Sequence, residues 1–520
     1  MPARKNRTSR AKAKKAPTRA KTAAPRRGVK KKPPRPPVKK KSARTTVKKA
    51  RTAVKKTTAP PAPPPPGAIT NYPTALRWLY EHTDYERLRL IRYNAATFNL
   101  ERMRRLLKAL GDPQKELRFV HIAGTKGKGS TVAMLSNMLQ ACGYTIGSFT
   151  SPHLIDLRER IQINGQMISH ADMVEVFKTI KNKTRLFAED RPTFFEVLTA
   201  AALRHFADQA VDLAVLEVGM GGRLDSTNVI KPEVCGITQI SYDHMNILGS
   251  KLSQIAEEKA GIMKKGVPVL SVEQDPSVIK VFQRVAEETG APLQIVGKDV
   301  EFSYRFEANR ELGPHTRVCL TTAAGTYEHI PVPLRGEHQA LNCGLALAIL
   351  DKLRERGFKT PEEQLVKGLA TTYLPGRMEL AWNEPRIMLD GAHNAASIQS
   401  LIKSMGAHVP YDSLVVIFGC GEDKDITGML KQISLGADKV IFTRAKANPR
   451  AMDPTDLLHK FTEVSGKMAQ IAPTLEDALN LSVRAVSRED LICVTGSFYL
   501  VGEAKKYLAD LAHKRAKQNA

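Results

Sequence analysis

Apolar residues along most of this chain follow two rhythms: short β-branched runs, and longer stretches with helical spacing. RFVHIAG (118–124), VDLAVLEVG (211–219), EVCGITQI (233–240) and VPVLSV (267–272) are nearly continuous in apolar residues, which predicts strands buried on both faces. Between them, segments such as STVAMLSNMLQACG (130–143) repeat their apolar positions at helical spacing. Buried strands alternating with helices predict a parallel sheet with crossover helices. A second series follows in RIMLDGA (386–392), LVVIFGCG (414–421), KVIFTRA (439–445) and LICVTGSF (491–498). A predicted helix, HQALNCGLALAILDKL (338–353), and the turn-rich TYLPGRMEL (372–380) separate the two series. The expectation is two α/β domains, over 68–373 and 374–516, with no internal repeat.

Residues 1–67 change the picture, because they follow neither rhythm. They hold 24 Lys or Arg and no Asp or Glu, which leaves +4 of the total +28 for the rest of the chain. With few large apolar side chains and many prolines, this arm cannot bury enough surface to offset the entropy of ordering, and is expected to be disordered. Its last stretch, APPAPPPPG, reads as a stiff polyproline spacer. It is either a non-specific nucleic-acid or other polyanion binder or a solvated tail. Its prolines argue against the amphipathic helix of a transit peptide. The body is near neutral and shows no basic stripe interleaved with aromatics, which argues against a nucleic-acid motor. No run of eighteen or more apolar residues occurs, so no membrane span is expected. The six cysteines form no CxxC pair, which favours reduced thiols in a cytoplasmic compartment.

The candidate chemistry starts in GTKGKGST, directly after the first predicted strand. Gly124, Gly127 and Gly129 let backbone amides approach phosphates, Lys128 adds a point charge, and Ser130 or Thr131 opens a helix whose N-terminus favours anions. The spacing is shorter than the usual phosphate loop, and Gly129 separates the lysine from the hydroxyl. Ligands of open α/β sheets bind beyond the carboxyl ends of strands. Glu217 ends one predicted strand, and Asp243 and His244 follow another, so parallel strands would bring them to the loop. A carboxylate, an imidazole and a hydroxyl near phosphates suggest Mg²⁺. In LSQIAEEKAGIMKKG (252–266), read as a helix, Lys259 shares a face with Leu252, Ile255 and Ile262. It is either a snorkelling lysine or a desolvated one with a lowered pKa.

HIAGTKGKGST, TSPHL, RERIQING, FFEVLTAAAL, LAVLEVGMGGRLDSTN, DHMNILG, IAEEKAGIMK, HQALN, LPGRMEL and LDGAHN stand in the order found in folylpolyglutamate and dihydrofolate synthases. From about Tyr72 onward the chain resembles that family of Mur ligases. The resemblance implies a P-loop ATPase-like N-terminal domain, a smaller Rossmann-like C-terminal domain, and an ATP-dependent ligation. A pterin or folate carboxylate, from dihydropteroate or a reduced folate, becomes an acyl phosphate that the amine of L-glutamate displaces. By resemblance, Gly124, Thr125, Gly127, Lys128, Gly129 and Ser130 hold the ATP phosphates, and Asn342, Arg377 and Asp390 contact the nucleotide. Ser151, Glu217 and His244 match ligands of a first Mg²⁺, and Lys259 matches a lysine that is carbamylated to hold a second. His393 matches a glutamate-binding position, and Thr193, Phe195 and Asp225 match pterin-binding ones. Lys128, Lys259, His244 and His393 are the catalytic candidates. Relatives often carry Asn where Lys126 stands, a change expected to be tolerated because backbone amides make most loop contacts. A Mur-type ligase acting on a cell-wall precursor is the nearest alternative, which TSPHL, FFEVLT and LEVGMGGRLD argue against.

Overall fold

A computed structural model of the chain describes residues 67–85, 98–185, 187, 190–310, 312–322, 325–446 and 448–519. Apart from Gly67, the basic arm lies outside the described residues, as does the expectation of disorder placed on it. Eight strands form the first sheet: β1 (Phe119–Ala123), β2 (Ile146–Phe149), β3 (Ile161–Ile163), β4 (Gln166–Met167), β5 (Leu213–Glu217), β6 (Val234–Ile237), β7 (Val269–Val272) and β8 (Leu293–Val296). Their order is β4-β3-β2-β5-β1-β6-β7-β8. The six strands from β2 to β8 in that order run parallel, while β3 and β4 add an antiparallel edge.

Every residue of β1, β5, β6 and β7 is buried, because helices cover both faces of the sheet. One apolar layer joins the sheet to helices Lys128–Ala141 and Glu337–Glu355, and the other to helices Leu100–Ala109, His170–Thr184 and Phe194–Asp208. Helix Glu337–Glu355 is apolar nearly all round because it lies between this sheet and a three-stranded antiparallel one. That second sheet comprises β9 (Glu301–Asn309), β10 (Gly313–Thr322) and β11 (Gly325–Val332).

The third sheet contains β12 (Glu379–Asn383), β13 (Arg386–Leu389), β14 (Leu414–Phe418), β15 (Lys439–Phe442), β16 (Gln470–Ile471) and β17 (Leu491–Thr495). It is parallel in the order β13-β17-β14-β15-β16, with β12 antiparallel at one edge. The expected α/β class, with a larger mostly parallel sheet followed by a smaller one, is the observed fold. All eight strands read from apolar runs are present. Three readings need correction. The helix after the glycine loop opens at Lys128, with Gly127 as its N-cap, and not at Ser130 or Thr131, because Gly127 takes the left-handed turn that starts it. The helix expected across 252–266 ends at Ala260, with Gly261 as its C-cap, so Ile262 is buried from the following turn and not from the helix face. The turn-rich 372–380 also contains the start of β12.

Among the described residues no helix is long and apolar enough to cross a membrane. Close helix packing sets the position of the helix that follows the glycine loop. A Cβ at Gly368, on helix Glu362–Ala370, would lie 2.4 Å from the Asn137 carbonyl oxygen of helix Lys128–Ala141. Gly368→Val is therefore expected to destabilise the protein by about 2 kcal/mol in denaturant unfolding, since the obstructing atom is backbone and cannot rotate away. An unchanged unfolding midpoint would show that the two helices separate without cost.

Candidate active site

Strand register builds the site. Ile122 of β1 pairs with Glu217 of β5, and Ala123 pairs with Ile237 of β6, so these three strands end together. The glycine loop leaves β1 at this edge, where the sheet order places β1 between β5 and β6 and opens a crevice. Two glycines are sterically required there. A Cβ on Gly124 (φ +141°) would meet Thr238 Oγ1 at 1.7 Å, and one on Gly127 (φ +86°) would meet Asn342 Oδ1 at 2.1 Å. Gly129 lies in the first turn of the helix, and a Cβ there would stand 3.5 Å from Glu217 Oε2.

Around this loop the charges are close and buried. Lys128 Nζ stands 3.6 Å from Glu217 Oε1, and the Ser151 amide donates to Glu217 Oε2 at 3.1 Å. Burial pushes the Glu217 carboxyl upward, and Lys128 is the largest influence opposing it. Lys259 is buried and donates to the Gly124 carbonyl at 2.8 Å. Desolvation, with the charge of Lys128 adding to it, lowers its pKa to about 7. The desolvated reading of Lys259 therefore describes the structure, and the snorkelling one does not. His244 takes a left-handed backbone conformation (φ +48°) as it opens a short helix, Met245–Leu248. Its side chain is exposed to the cavity, whose walls nevertheless disfavour the imidazolium and lower its pKa, which favours the neutral form able to act as a ligand.

The third sheet supplies the opposite wall of the cavity. Asp390, just beyond β13, accepts from the amides of Met378 (2.9 Å) and Ala392 (2.8 Å). Arg377 lies over the Phe498 ring at 4.5 Å, and burial lowers its pKa. His393 donates from Nδ1 to the Gly391 carbonyl at 2.8 Å, and its Nε2 stands 3.8 Å from Asp243 Oδ2. Lys424 Nζ stands 3.7 Å from Asp243 Oδ1. Burial acts to raise the Asp243 pKa, but His393, His244 and Lys424 together hold it well below the usual carboxylate range. Asp243 thus joins loops from the two parallel sheets.

At the far end, Thr193 caps helix Phe194–Asp208 by accepting from the Glu196 amide at 3.2 Å, and Glu196 accepts in return from the Thr193 amide at 2.7 Å. Arg102 holds the same Glu196 carboxylate at 2.7 and 2.9 Å. Phe195 stands 5.6 Å from Phe149, and a Cβ on Gly219 would strike its ring at 2.4 Å. Asp225 accepts from the Thr227 hydroxyl (2.5 Å) and the Met220 amide (2.8 Å).

The seventeen residues given roles by resemblance, and Asp243, line one cavity of about 1070 Å³, while Thr131 is buried and does not. For some of them the structure shows a local task. The amide and hydroxyl of Thr125 are tied to the carbonyls of Gln239 and Ser241, so this residue braces the loop. Sequence reasoning missed Phe498, Lys424, Arg102 and His338 as lining groups. Lys424 and Phe498 follow β14 and β17, so the strand-end rule that found Glu217 could have found them as well.

Two family descriptions match the chain: "Mur ligase middle domain" over residues 122–350 and "Mur ligase, glutamate ligase domain" over 376–498. A dihydrofolate synthase/folylpolyglutamate synthase of Bacillus subtilis (strain 168) is 35% identical over 414 residues, covering 79% of this chain and 94% of that protein. The chain belongs to the Mur ligase family. This Mur ligase is also 34% identical over 442 residues to the dihydrofolate synthase/folylpolyglutamate synthase of Mycobacterium tuberculosis, covering 78% of this chain and 89% of that protein. The M. tuberculosis folylpolyglutamate synthase complexed with ADP superposes with a TM-score of 0.76 at 32% identity, covering 84% of this chain and 98% of the other. The E. coli FolC in complex with DHPP and ADP gives a TM-score of 0.74 at 29% identity, over 86% and 100% of the two chains. The chain is an ATP-dependent ligase.

Two expectations follow for this Mur ligase. Gly127→Ala forces a Cβ into the Asn342 amide at a left-handed backbone position, so Mg-ATP affinity is expected to fall at least tenfold, as read by calorimetric titration. Lys259 has a folded pKa near 7 and an ordinary value of 10.5, so between these values the folded state binds fewer protons than the unfolded one. Its burial therefore costs stability fully at and below pH 7, and the cost fades as pH rises to 10.5. Lys259→Met is expected to raise stability by roughly 2–3 kcal/mol at pH 7, with the gain vanishing by about pH 10.5, while abolishing turnover. Unfolding midpoints measured across that range would show the trend.

Proposed function

We propose that this ligase joins L-glutamate to the carboxylate of dihydropteroate or of a reduced folate, with cleavage of ATP to ADP and phosphate. One observation carries the reading: the glycine loop, with Lys128 3.6 Å from Glu217, shares its cavity with Arg377 from the opposite sheet. Positive charge arrives from two sides on a place shaped for phosphates. The amides of Gly127, Lys128, Gly129 and Ser130 hold the phosphates, with the Lys128 ammonium beside them. Asn342, Arg377 and Asp390 orient the nucleotide; Phe498 holds the guanidinium of Arg377 through its ring face, which leaves most N–H donors for phosphate oxygens.

The donor set fits Mg²⁺. Glu217 is a buried carboxylate and His244 a neutral imidazole, Ser151 brings a hydroxyl to the same wall, and the glycine at 129 leaves room beside Glu217. Ser151, Glu217 and His244 would hold a first ion. Lys259, carbamylated, would hold a second. Mg²⁺ bound there supplies charge neutralisation for the phosphate oxygens. A lysine with a pKa near 7 has a substantial neutral fraction at physiological pH, which is the form that adds to CO₂.

The substrate carboxylate attacks the γ-phosphorus of ATP and expels ADP, giving an acyl phosphate. The glutamate amine then attacks the acyl carbon, loses its proton, and expels phosphate as the amide forms. His393, held by its bond to the Gly391 carbonyl, would bind glutamate in this reading. Phe195 offers a ring face to the pterin, and Asp225 and Thr193 border the same end of the cavity. The six cysteines are free thiols, which agrees with a cytoplasmic enzyme.

The test measures ADP release with Mg-ATP and either dihydropteroate or tetrahydrofolate, with and without L-glutamate, and follows the products by mass spectrometry. Glutamate-dependent ADP release and a product one glutamyl unit heavier are expected. Lys259→Ala should lose them, together with a carbamate signal seen after ¹³C-bicarbonate labelling. Glutamate-independent ADP release with no heavier product from either acceptor would remove the folate reading.

A further inference from the structure

Nine lysine and arginine side chains line the cavity, and eight have a bonded partner among the described residues. Lys128 pairs with Glu217, Lys259 donates to the Gly124 carbonyl, and Lys424 pairs with Asp243. The ammonium of Lys126 makes no hydrogen bond and no ion pair within 4 Å with a described residue. The carboxylate that influences it is Asp243. Its oxygens already face the His244 amide (2.9 Å), Lys424 (3.7 Å) and His393 (3.8 Å).

The backbone of Lys126 is also committed. Its amide and that of Thr125 donate to the Gln239 carbonyl at 3.3 and 3.0 Å, which ties the first half of the loop to the end of β6. Those two amides cannot turn toward a phosphate without breaking that tie. The amides available to a ligand therefore begin at Gly127, and a contribution from position 126 comes through its side chain.

We infer that Lys126 is a nucleotide-binding residue of this loop, its ammonium pairing with the polyphosphate alongside Lys128. This rests on reading the loop as the phosphate cradle. The side chain is half-buried, and desolvation lowers its pKa to about 8, as fits a cation withdrawn from water without a fixed counter-charge. An anion entering the cradle supplies that counter-charge in a place where solvent screens it weakly. The other anionic candidate is a carboxylate of glutamate. The phosphates are favoured because the two residues after Lys126 begin the helix whose free amides point into the cradle.

The experiment measures calorimetric binding of Mg-AMPPCP and of adenosine to the full-length protein and to Lys126→Gln, Lys126→Arg and Lys128→Gln, followed by steady-state kinetics. Lys126→Gln is expected to weaken Mg-AMPPCP about tenfold and leave adenosine unchanged, with KM for glutamate within twofold of the parent. Lys126→Arg should recover most of the affinity, which a packing role would not produce. Unchanged Mg-AMPPCP affinity in Lys126→Gln, alongside a loss in Lys128→Gln, overturns the inference and leaves the cradle standing. No loss in Lys128→Gln would overturn the cradle reading itself. A rise confined to the glutamate KM would assign the cation to the amino acid and also overturn the inference.

Discussion

The site is organised by positive charge, wholly or half withdrawn from water, that outweighs the carboxylates facing it. Lys126, Lys128, Lys259 and Arg377 line one cavity, while Glu217 and Asp243 are each shared among several donors. The cost is visible in the shifts: the pKa values of Lys126, Lys259 and Arg377 all fall, and desolvation is the leading cause for each. For Lys259 the charge of Lys128 comes next. A fold tolerates such an arrangement when burial elsewhere compensates, and the two apolar layers around the first sheet provide that. The same excess charge gives an entering polyphosphate its affinity, so cost and function arise from one source.

The backbone locates that charge. Because β1, β5 and β6 are parallel and in register, Gly124, Val218 and Thr238 follow their strands at one edge, and Glu217 is held 3.6 Å from Lys128 with no loop having to carry it there. Close packing then removes freedom from the loop. Thr238 excludes a side chain at 124, Asn342 excludes one at 127, and the Gln239 carbonyl fastens 125 and 126. What remains mobile in principle is the set of long cationic side chains, which adjust to the ligand while the amides do not.

How legible this was depended on burial. The central strands are enclosed on both faces, so their apolar runs show directly in the sequence, and the residues at their ends could be placed by the rule for parallel sheets. The sheet β9–β11 was missed although EFSYRFEAN alternates polar residues with Phe302, Tyr304, Phe306 and Ala308, the period of a strand with one apolar face. The strands that were read are continuous apolar runs, and β9 is exposed except at Phe302 and Glu307, which are half-buried. The end of the Lys259 helix was misread for a related reason: Ile262 is buried as the periodicity requires, but from a turn beyond Gly261. Resemblance brought Asp390, His393 and Asn342 to the site, since nothing in their local spacing distinguishes a ligand from a loop cap. Asp390 does cap its loop, through the amides of Met378 and Ala392. Capping and binding are not exclusive, because a carboxylate has more lone-pair sites than these two donors use.

The division of the site between two parallel sheets bears on the chemistry. An acyl phosphate is open to attack by water, so a ligase needs its two reacting centres enclosed together and away from solvent. Neither sheet can do this alone: the glycine loop, Glu217 and Lys259 stand on one, and Arg377, His393 and Lys424 on the other. Asp243 reaches across to His393 and Lys424 at 3.8 and 3.7 Å, and alongside it the Ser400 hydroxyl meets His338 at 3.0 Å and Lys403 pairs with Glu337. The two walls are thus joined by a few polar contacts at the rim of the cavity, which a site that admits two large anionic substrates has to part and remake.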